Sequence, residues 1–419
     1  MAIILSSLLL TMLLVSFRPF QPAGAPLEDG ASAGGDIVNQ LGFGSLGALA
    51  LFALFTFVDR RVLTALLSPW WLIMLGFLAL SVTNATDPSS AMRAAMFTVI
   101  GILTVAAILT LPRDADSFST VLAFAGLATV GLCYAGLVLF PGEAIHGGGG
   151  FEPQHAGFWR GSFSHKNIAG PVMACLSFAG IYLWRRGWTV LGGLLFVLAL
   201  TFMANTGSKT TAGLVPLSIL VVVLPGMIGL RGLTPALFAI AIVGTALATL
   251  GIVFIGPLAE LAHRLVPDLT YTGRTALWEF AGEMIARRPL TGYGYESFWG
   301  TPFLSGMEQP FDRDWDIRGI VHGHNGYLDI AVIMGLPALA AAVVAFLVVP
   351  VADYLRTSRL RENIYLADLF MMMLFFTALN AFLESFFFRR VDPVWLFFVM
   401  AALGLRLTAR FPVTARIAS

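Results

Sequence analysis

The sequence predicts an all-α polytopic membrane protein with about 12 transmembrane helices. Three observations carry this. Hydrophobic residues make up 58% of the 419-residue chain and charged residues only 12%, too few to cover a solvated surface of that size. The mean hydropathy is +0.83. Apolar runs recur along the whole chain, most of them near the roughly 17–25 residues that cross about 30 Å of hydrocarbon. The net charge of +1 gives no basic field and excludes nucleic acid as a partner.

The runs are Ile3–Phe17, Leu41–Val58, Pro69–Val82, Ala91–Leu111, Phe118–Phe140, Ile168–Trp184, Trp188–Ala204, Ala212–Leu230, Pro235–Leu258, Gly326–Val349, Ile364–Phe388 and Val394–Leu407. The first lacks a basic stretch before it. Small residues follow it at Ala23-Gly24-Ala25, and an uncleaved first helix is the preferred reading over a signal peptide. Cys133 and Cys175 fall inside apolar runs and read as small buried hydrophobes without a disulfide. No internal repeat or soluble domain interrupts the single transmembrane unit, 1–419.

Loop arginines set the orientation. Alternate short loops hold Arg60-Arg61, Arg113, Arg185-Arg186, Arg231 and Arg356/Arg359/Arg361, and the tail holds Arg406, Arg410 and Arg416. These should face the cytoplasm, with both termini. Arg389-Arg390 on the far side is an exception to the rule. Two long loops, 141–167 and 259–325, then lie outside, and they contain all six histidines. Loops of that length in a compact membrane protein usually have a task.

The second loop is partly ordered. In Thr275–Arg287, Leu277, Phe280, Ala281, Met284 and Ile285 recur at helical spacing, and Glu279, Glu283 and Arg287 fall elsewhere on the wheel. An amphipathic helix lying on the outer leaflet is expected, stopped by Pro289. Gly292-Tyr293-Gly294 then reads as a turn. It lacks the third glycine and the preceding strand of a nucleotide site.

Four clusters carry possible chemistry. Trp159–Asn167 packs Arg160, His165 and Lys166 before a helix, where Lys166 and Asn167 either anchor and cap that helix or bind an anion. Tyr271–Arg274 presents a guanidinium that either snorkels to headgroups or matches phosphate oxygens. In Asn205–Thr211, Lys209 is either a turn residue or a third outward cation. In His322-Gly323-His324-Asn325, Asn325 can cap the next helix. A zinc site would need three or four ligands, and His165 could join the pair, but no acid has clear spacing. A general base is the preferred reading, since imidazole titrates near neutral pH. Asp329 lies too far round the helix to be a sure partner of His324. Glu384, in an apolar context, should be paired or functional, with Arg389 or Arg390 as its possible partner.

Taken together, Arg160-Gly-Ser-Phe-Ser-His165-Lys166-Asn167, Gly273-Arg274…Trp278, Arg288-Pro-Leu-Thr-Gly292-Tyr-Gly294…Phe298-Trp299 and His322-Gly-His324-Asn325-Gly-Tyr-Leu…Gly335 resemble the O-antigen ligase/polymerase superfamily. The resemblance spans residues 150–390, and its pieces look most like the exopolysaccharide-polymerase branch. The ligase pattern of a histidine, an amide, nine residues and a glycine is met by His324-Asn325 and Gly335, while Ala338 departs from its last place.

The resemblance implies a GT-C-like glycosyltransferase of the bacterial inner membrane, working at the periplasmic face on glycan linked to undecaprenyl diphosphate. It maps the essential arginines onto Arg160 and Arg274 and the essential histidine onto His324, with Lys209 a less sure basic position. His165, Lys166, Asn167, His322, Asn325, Tyr271 and Glu384 are the further substrate-binding candidates. The arginines would stabilise charge on the departing diphosphate, and His324 would take the acceptor's proton in one inverting displacement. Trp159, Tyr271, Trp299 and Tyr327 are candidates for stacking on sugars. No cofactor or metal is expected. The glycan donor, a glycan acceptor and the bilayer are the partners, and the polymerase reading allows a chain-length regulator. Ligation to a lipid A-core acceptor is the alternative. Transport of polysaccharide or lipid is another, although transporters concentrate ionisable groups near the midplane and show repeated halves.

Overall fold

The computed structural model describes residues 1–20, 37–148, 153–265, 271, 273–308 and 316–416. Its principal helices, in chain order, are α1 (Ala2–Val15), α2 (Ile37–Phe57), α3 (Arg60–Leu66), α4 (Pro69–Thr83), α5 (Pro88–Thr110), α6 (Ala115–Leu139), α7 (Lys166–Arg185) and α8 (Thr189–Asn205). They continue with α9 (Lys209–Met227), α10 (Leu233–Phe254), α11 (Gly256–Leu265), α12 (Arg274–Arg287), α13 (Gly326–Met334), α14 (Leu336–Arg356), α15 (Arg361–Asn380) and α16 (Pro393–Arg410). The described residues contain no strand, only an isolated bridge between Ile145 and Trp159.

All twelve apolar runs are helical over most of their length, although Ile364–Phe388 leaves the helix after Asn380 and so places Glu384 beyond it, not in its last turn; the chain is a multi-pass membrane protein. Among the described residues nine helices are long and apolar enough to cross a bilayer, or ten if α3 and α4, bent by 63°, form one span. The bend sits before Pro69, whose ring favours the extended backbone of Ser68. The two remaining runs are short: α1 has 14 residues and α8 has 17, about 21 and 25 Å of helix. The expected count of about 12 crossings is therefore not reached by length alone. Ala23-Gly24-Ala25, Thr272 and the second half of the Gly147–Gly150 run lie outside the described residues, as does the side chain of His263.

The centre of the bundle is α7, α15 and α16. Their most apolar windows are 78%, 89% and 78% buried, against 17% for the peripheral α10. Met371, Phe375 and Phe376 of α15 and Trp395 and Phe398 of α16 are fully buried. α7 and α8 form a close hairpin because Gly180 and Gly192 let the backbones touch; a Cβ at Gly192 would stand 2.6 Å from the Trp184 nitrogen. Cys133 and Cys175 are buried free thiols, as expected.

The arginines assigned to one side do gather at one end, where they meet buried acids. Asp368 pairs with Arg185 at 2.8 Å and Arg231 at 3.2 Å, Asp353 with Arg410 at 3.0 Å, and Glu362 with Arg186 and Arg361. Each acid is only a few per cent exposed, so these pairs fix the register of the helix ends they join.

Two expectations are corrected. α12 has the predicted amphipathic face, with Leu277, Phe280, Ala281, Met284 and Ile285 buried and Glu279, Glu283 and Arg287 exposed. That face does not lie on lipid. It packs into a second apolar cluster with Phe298, Leu328, Ala331 and Val332. The run Gly326–Val349 is also not one helix. It breaks at Gly335, whose φ is 88°.

The freed carbonyls at the end of α13 are taken up by the Gly292-Tyr293-Gly294 turn. Tyr293 N–H donates to Val332 O at 2.9 Å and Gly294 N–H to Ile333 O at 3.0 Å, and the Ser81 hydroxyl also donates to Ile333 O. This turn is a brace. Because a Cβ at Gly335 would collide with the Leu290 carbonyl, Gly335→Ala should destabilise the protein by at least about 2 kcal/mol, seen as a lower thermal midpoint in detergent.

Candidate active site

Glu384 follows the end of α15, in a turn where its N–H donates to Asn380 O. Three residues from three separate stretches converge on it. Arg274, the first residue of α12, reaches its Oε1 with Nη2 at 3.0 Å and donates Nη1 to the Leu383 carbonyl. Asn167 Nδ2 donates to the same oxygen at 3.2 Å. His324 Nδ1 lies 3.5 Å from Oε2. Side-chain exposure of Arg274, His324 and Glu384 is 21%, 29% and 17%, so the node is sheltered yet open to a ligand. The expected pairing of Glu384 with Arg389 or Arg390 is thus corrected: Arg390 pairs with Glu296 at 3.5 Å, and Arg389 donates to Ser385 O. Burial alone would raise the Glu384 carboxyl. The facing His324 imidazole and the charge of Arg274 outweigh it and hold the group below its ordinary range.

The loop that presents His324 is built rigidly. Asn325 is fully buried and caps α13, accepting from the N–H groups of Tyr327 and Leu328 at 3.1 Å. Its Nδ2 donates to Phe382 O, and its own N–H donates to the Ser385 hydroxyl. Trp278 Nε1 donates to Gly323 O at 3.1 Å. Asp329 Oδ1 accepts from Trp299 Nε1 at 2.7 Å and Gly323 N–H at 3.2 Å. His324 itself has φ 50°, a left-handed conformation that costs a histidine about 1–2 kcal/mol. Asp329 therefore holds the loop through Gly323. Helical spacing could not show this, because the partner precedes the helix.

His322 and His324 have rings 4.0 Å apart, centroid to centroid. The His322 imidazole is held well below its usual range, first by burial and then by His324, Arg389, Arg274 and His165. Neither its Nδ1 nor that of His324 makes a hydrogen bond among the described residues, although His324 Nδ1 stands at ion-pair distance from Glu384. Of the two, His324 alone is aligned with a carboxylate.

Asp329 is the second shifted group. Burial pushes its carboxyl up from 3.8 to about 6, over the hydrogen bonds from Ser385 and Trp299. A raised acid favours the protonated fold. Its stabilising contribution is complete below about pH 4 and is lost as pH rises through about 6, a difference of about 3 kcal/mol. Asp329→Asn should flatten the fall in thermal midpoint between pH 4 and 7. Parallel wild-type and variant curves would remove Asp329 from that role.

The first loop contributes differently from expectation. His165, not Lys166 or Asn167, caps α7: its Nδ1 accepts from Asn167 N–H, and His146 Nε2 accepts from Lys166 N–H, both at 3.1 Å. The rings of His146, His155 and His165 lie 4.9–5.7 Å apart, centroid to centroid, and crown the helix start. No group of three metal-ligating side chains with metal-binding geometry occurs among the described residues. Lys166 is buried with its Nζ 4.5 Å over the Phe158 ring.

Arg160 is 3% exposed and donates Nη1 to Ser164 O at 3.1 Å. Burial lowers its guanidinium from the ordinary range, and Glu143 works against that shift. Lys209 is exposed at the start of α9, in a turn seated on Phe158 and Trp159. Tyr271 donates to Ala248 O and packs 5.7 Å from Trp278. Of the stacking candidates, Tyr327 is corrected: it is 3% exposed, bonded to Ala378 O and packed on Phe382, and so belongs to the core.

The family model described as O-antigen ligase matches residues 194–343. That segment holds Lys209, Arg274, His322 and His324 but neither Arg160 nor Glu384. An exopolysaccharide production protein of Rhizobium meliloti (strain 1021), ExoQ, is 28% identical over 197 residues, which are 43% of this chain and 43% of that protein. The chain thus spans less than half the length of this curated relative. The family model covers the stretch that carries the Arg274–His324 half of the site, and together with the relative it supports an O-antigen ligase/polymerase-type family for this chain.

Proposed function

We propose that the protein is a membrane glycosyltransferase that joins oligosaccharide units carried on undecaprenyl diphosphate into an exopolysaccharide, with its site at the periplasmic face. The observation that carries this is the Glu384 node, where one carboxylate lies within 3.5 Å of both a candidate base and a candidate phosphate-binding cation. With His324 Nδ1 turned toward Glu384 at 3.5 Å, its Nε2 is left to accept a proton from the acceptor sugar hydroxyl. That oxygen attacks C1 of the donor sugar as the C1–O bond to the diphosphate breaks. The bonding pair leaves with the diphosphate, and the configuration at C1 inverts. Arg274, bidentate by nature, faces the charge that develops there, and Arg160 and Lys209 add cations around the first loop. Asn167 ties that loop to the carboxylate. His322, kept neutral, acts as a neighbour of the base and not as the base.

Polymerisation is favoured over ligation because the relative is an exopolysaccharide production protein. Ligation to a lipid acceptor is the second reading, favoured by the description of the matching family model. Analysis of lipid-linked glycan in a deletion strain separates the two. Single repeat units left on lipid indicate a lost polymerase, and full chains left on lipid indicate a lost ligase. Unchanged lipid-linked glycan would sink both.

A further inference from the structure

At the arginine-rich end of the bundle, 21 residues along α14 from the Gly335 break and thus about 30 Å away, lies a cavity of about 360 Å³. Its charged wall carries Arg356, Arg406 and Arg410 against a single acid, Asp353. Arg410 bonds to Asp353 at 3.0 Å, and Arg406 is fixed by the Ala65 and Leu67 carbonyls, the latter at 2.8 Å. Arg356 is exposed and has no ion pair among the described residues. Three guanidinium groups against one carboxylate leave an uncompensated positive charge along the cavity's rim.

The opposite wall is apolar. Trp70, 38% exposed, follows the α3–α4 bend, and Val348 is 55% exposed. Val344 and Val348 are the first and last residues of a π-helical turn inside α14, an irregularity often found at functional sites. An inorganic anion would use only the arginines. An occupant with an anionic head and an apolar tail would use both walls, and an indole at such a boundary is the usual mark of a headgroup level. Basic pockets between helices are suited to anionic lipid headgroups.

We propose that this cavity binds an anionic glycerophospholipid, its phosphate against Arg356, Arg406 and Arg410 and its upper acyl carbons along Trp70 and Val348. The site is independent of the chemistry at Glu384. The test uses the purified full chain in detergent, native mass spectrometry, and phosphatidylglycerol or phosphatidylcholine added in equal amounts. Wild-type protein should retain phosphatidylglycerol selectively, and its thermal midpoint should rise with that lipid alone. Arg356→Gln, at an exposed position, should cut retention by about fivefold with an unchanged midpoint in lipid-free detergent. Trp70→Ala, which leaves the arginines in place, should weaken retention of the same lipid. Equal retention of both lipids, or full retention by Arg356→Gln, would overturn the proposal. Displacement of phosphatidylglycerol by excess inorganic phosphate would also overturn it, in favour of a free-phosphate site.

Discussion

Glu384→Gln should lower glycosyl transfer by about 10²- to 10⁴-fold while the protein inserts and folds, because it removes the charge that aligns the base. The isosteric amide can still accept from Asn167, so the first loop stays in place. Without the carboxylate, however, His324 loses the anion that stabilises it as it takes up a proton. Arg274 loses its ion-pair partner but keeps the Leu383 carbonyl. A guanidinium released from a carboxylate binds a diphosphate at least as well as before. The variant should therefore show a depressed kcat with an unchanged or lower KM for the donor. The cost in stability should be modest, about 1–3 kcal/mol, since Arg274 is partly exposed. Turnover of reconstituted protein on a lipid-linked donor, with a thermal scan as control, makes the measurement. A raised KM with intact kcat would make Glu384 a donor-site residue only.

Replacing His324 should separate activity from stability in an unusual direction. At most positions glycine is less stable than alanine by about 0.5–1 kcal/mol. At φ 50° the order should invert, because only glycine is free of the left-handed penalty. His324→Gly is expected to be more stable than His324→Ala by about 1 kcal/mol, while both lose the general base and with it about 10²- to 10⁴-fold in rate. Denaturation midpoints and polymer length in cells read the two effects separately. If alanine proves the more stable, the left-handed strain at this loop does not exist. Normal polymer length in either variant would remove His324 from the chemistry.

Much of the fold was legible because the bilayer imposes length on apolar runs, and every run from Ile3 to Leu407 is helical over most of its length. The buried face of α12 was legible for a different reason: this 14-residue helix is too short to be a span, and its charged residues alternate with apolar ones, so its periodic polarity has meaning. Inside the membrane that signal is silent, since side chains facing lipid and side chains facing protein are both apolar. Nothing in the pattern distinguished the buried α15 from the peripheral α10, or marked Tyr327 as core. In the site, His324, Asn325 and Arg274 could be found because they stand in compact polar motifs. Their meeting point could not: Arg274 and Glu384 are 110 residues apart, and nearer arginines competed for the same acid in any reading of the chain. The Gly335 break did have a local sign in Gly335-Leu336-Pro337, but its cause is the Gly292–Gly294 turn, far away in sequence.

That break has a mechanical consequence. A continuous helix from Gly326 to Arg356 would transmit every tilt of the span to the His324 loop, as a lever does. Here the short outer rod is clamped by Tyr293, Gly294 and Ser81, and the long inner rod begins anew at Leu336, anchored by its N–H to Pro289 O at 2.7 Å. The joint works as a vibration isolator. Thicker or thinner bilayers, which spans accommodate by tilting, should shift the protein's melting point far more than its turnover.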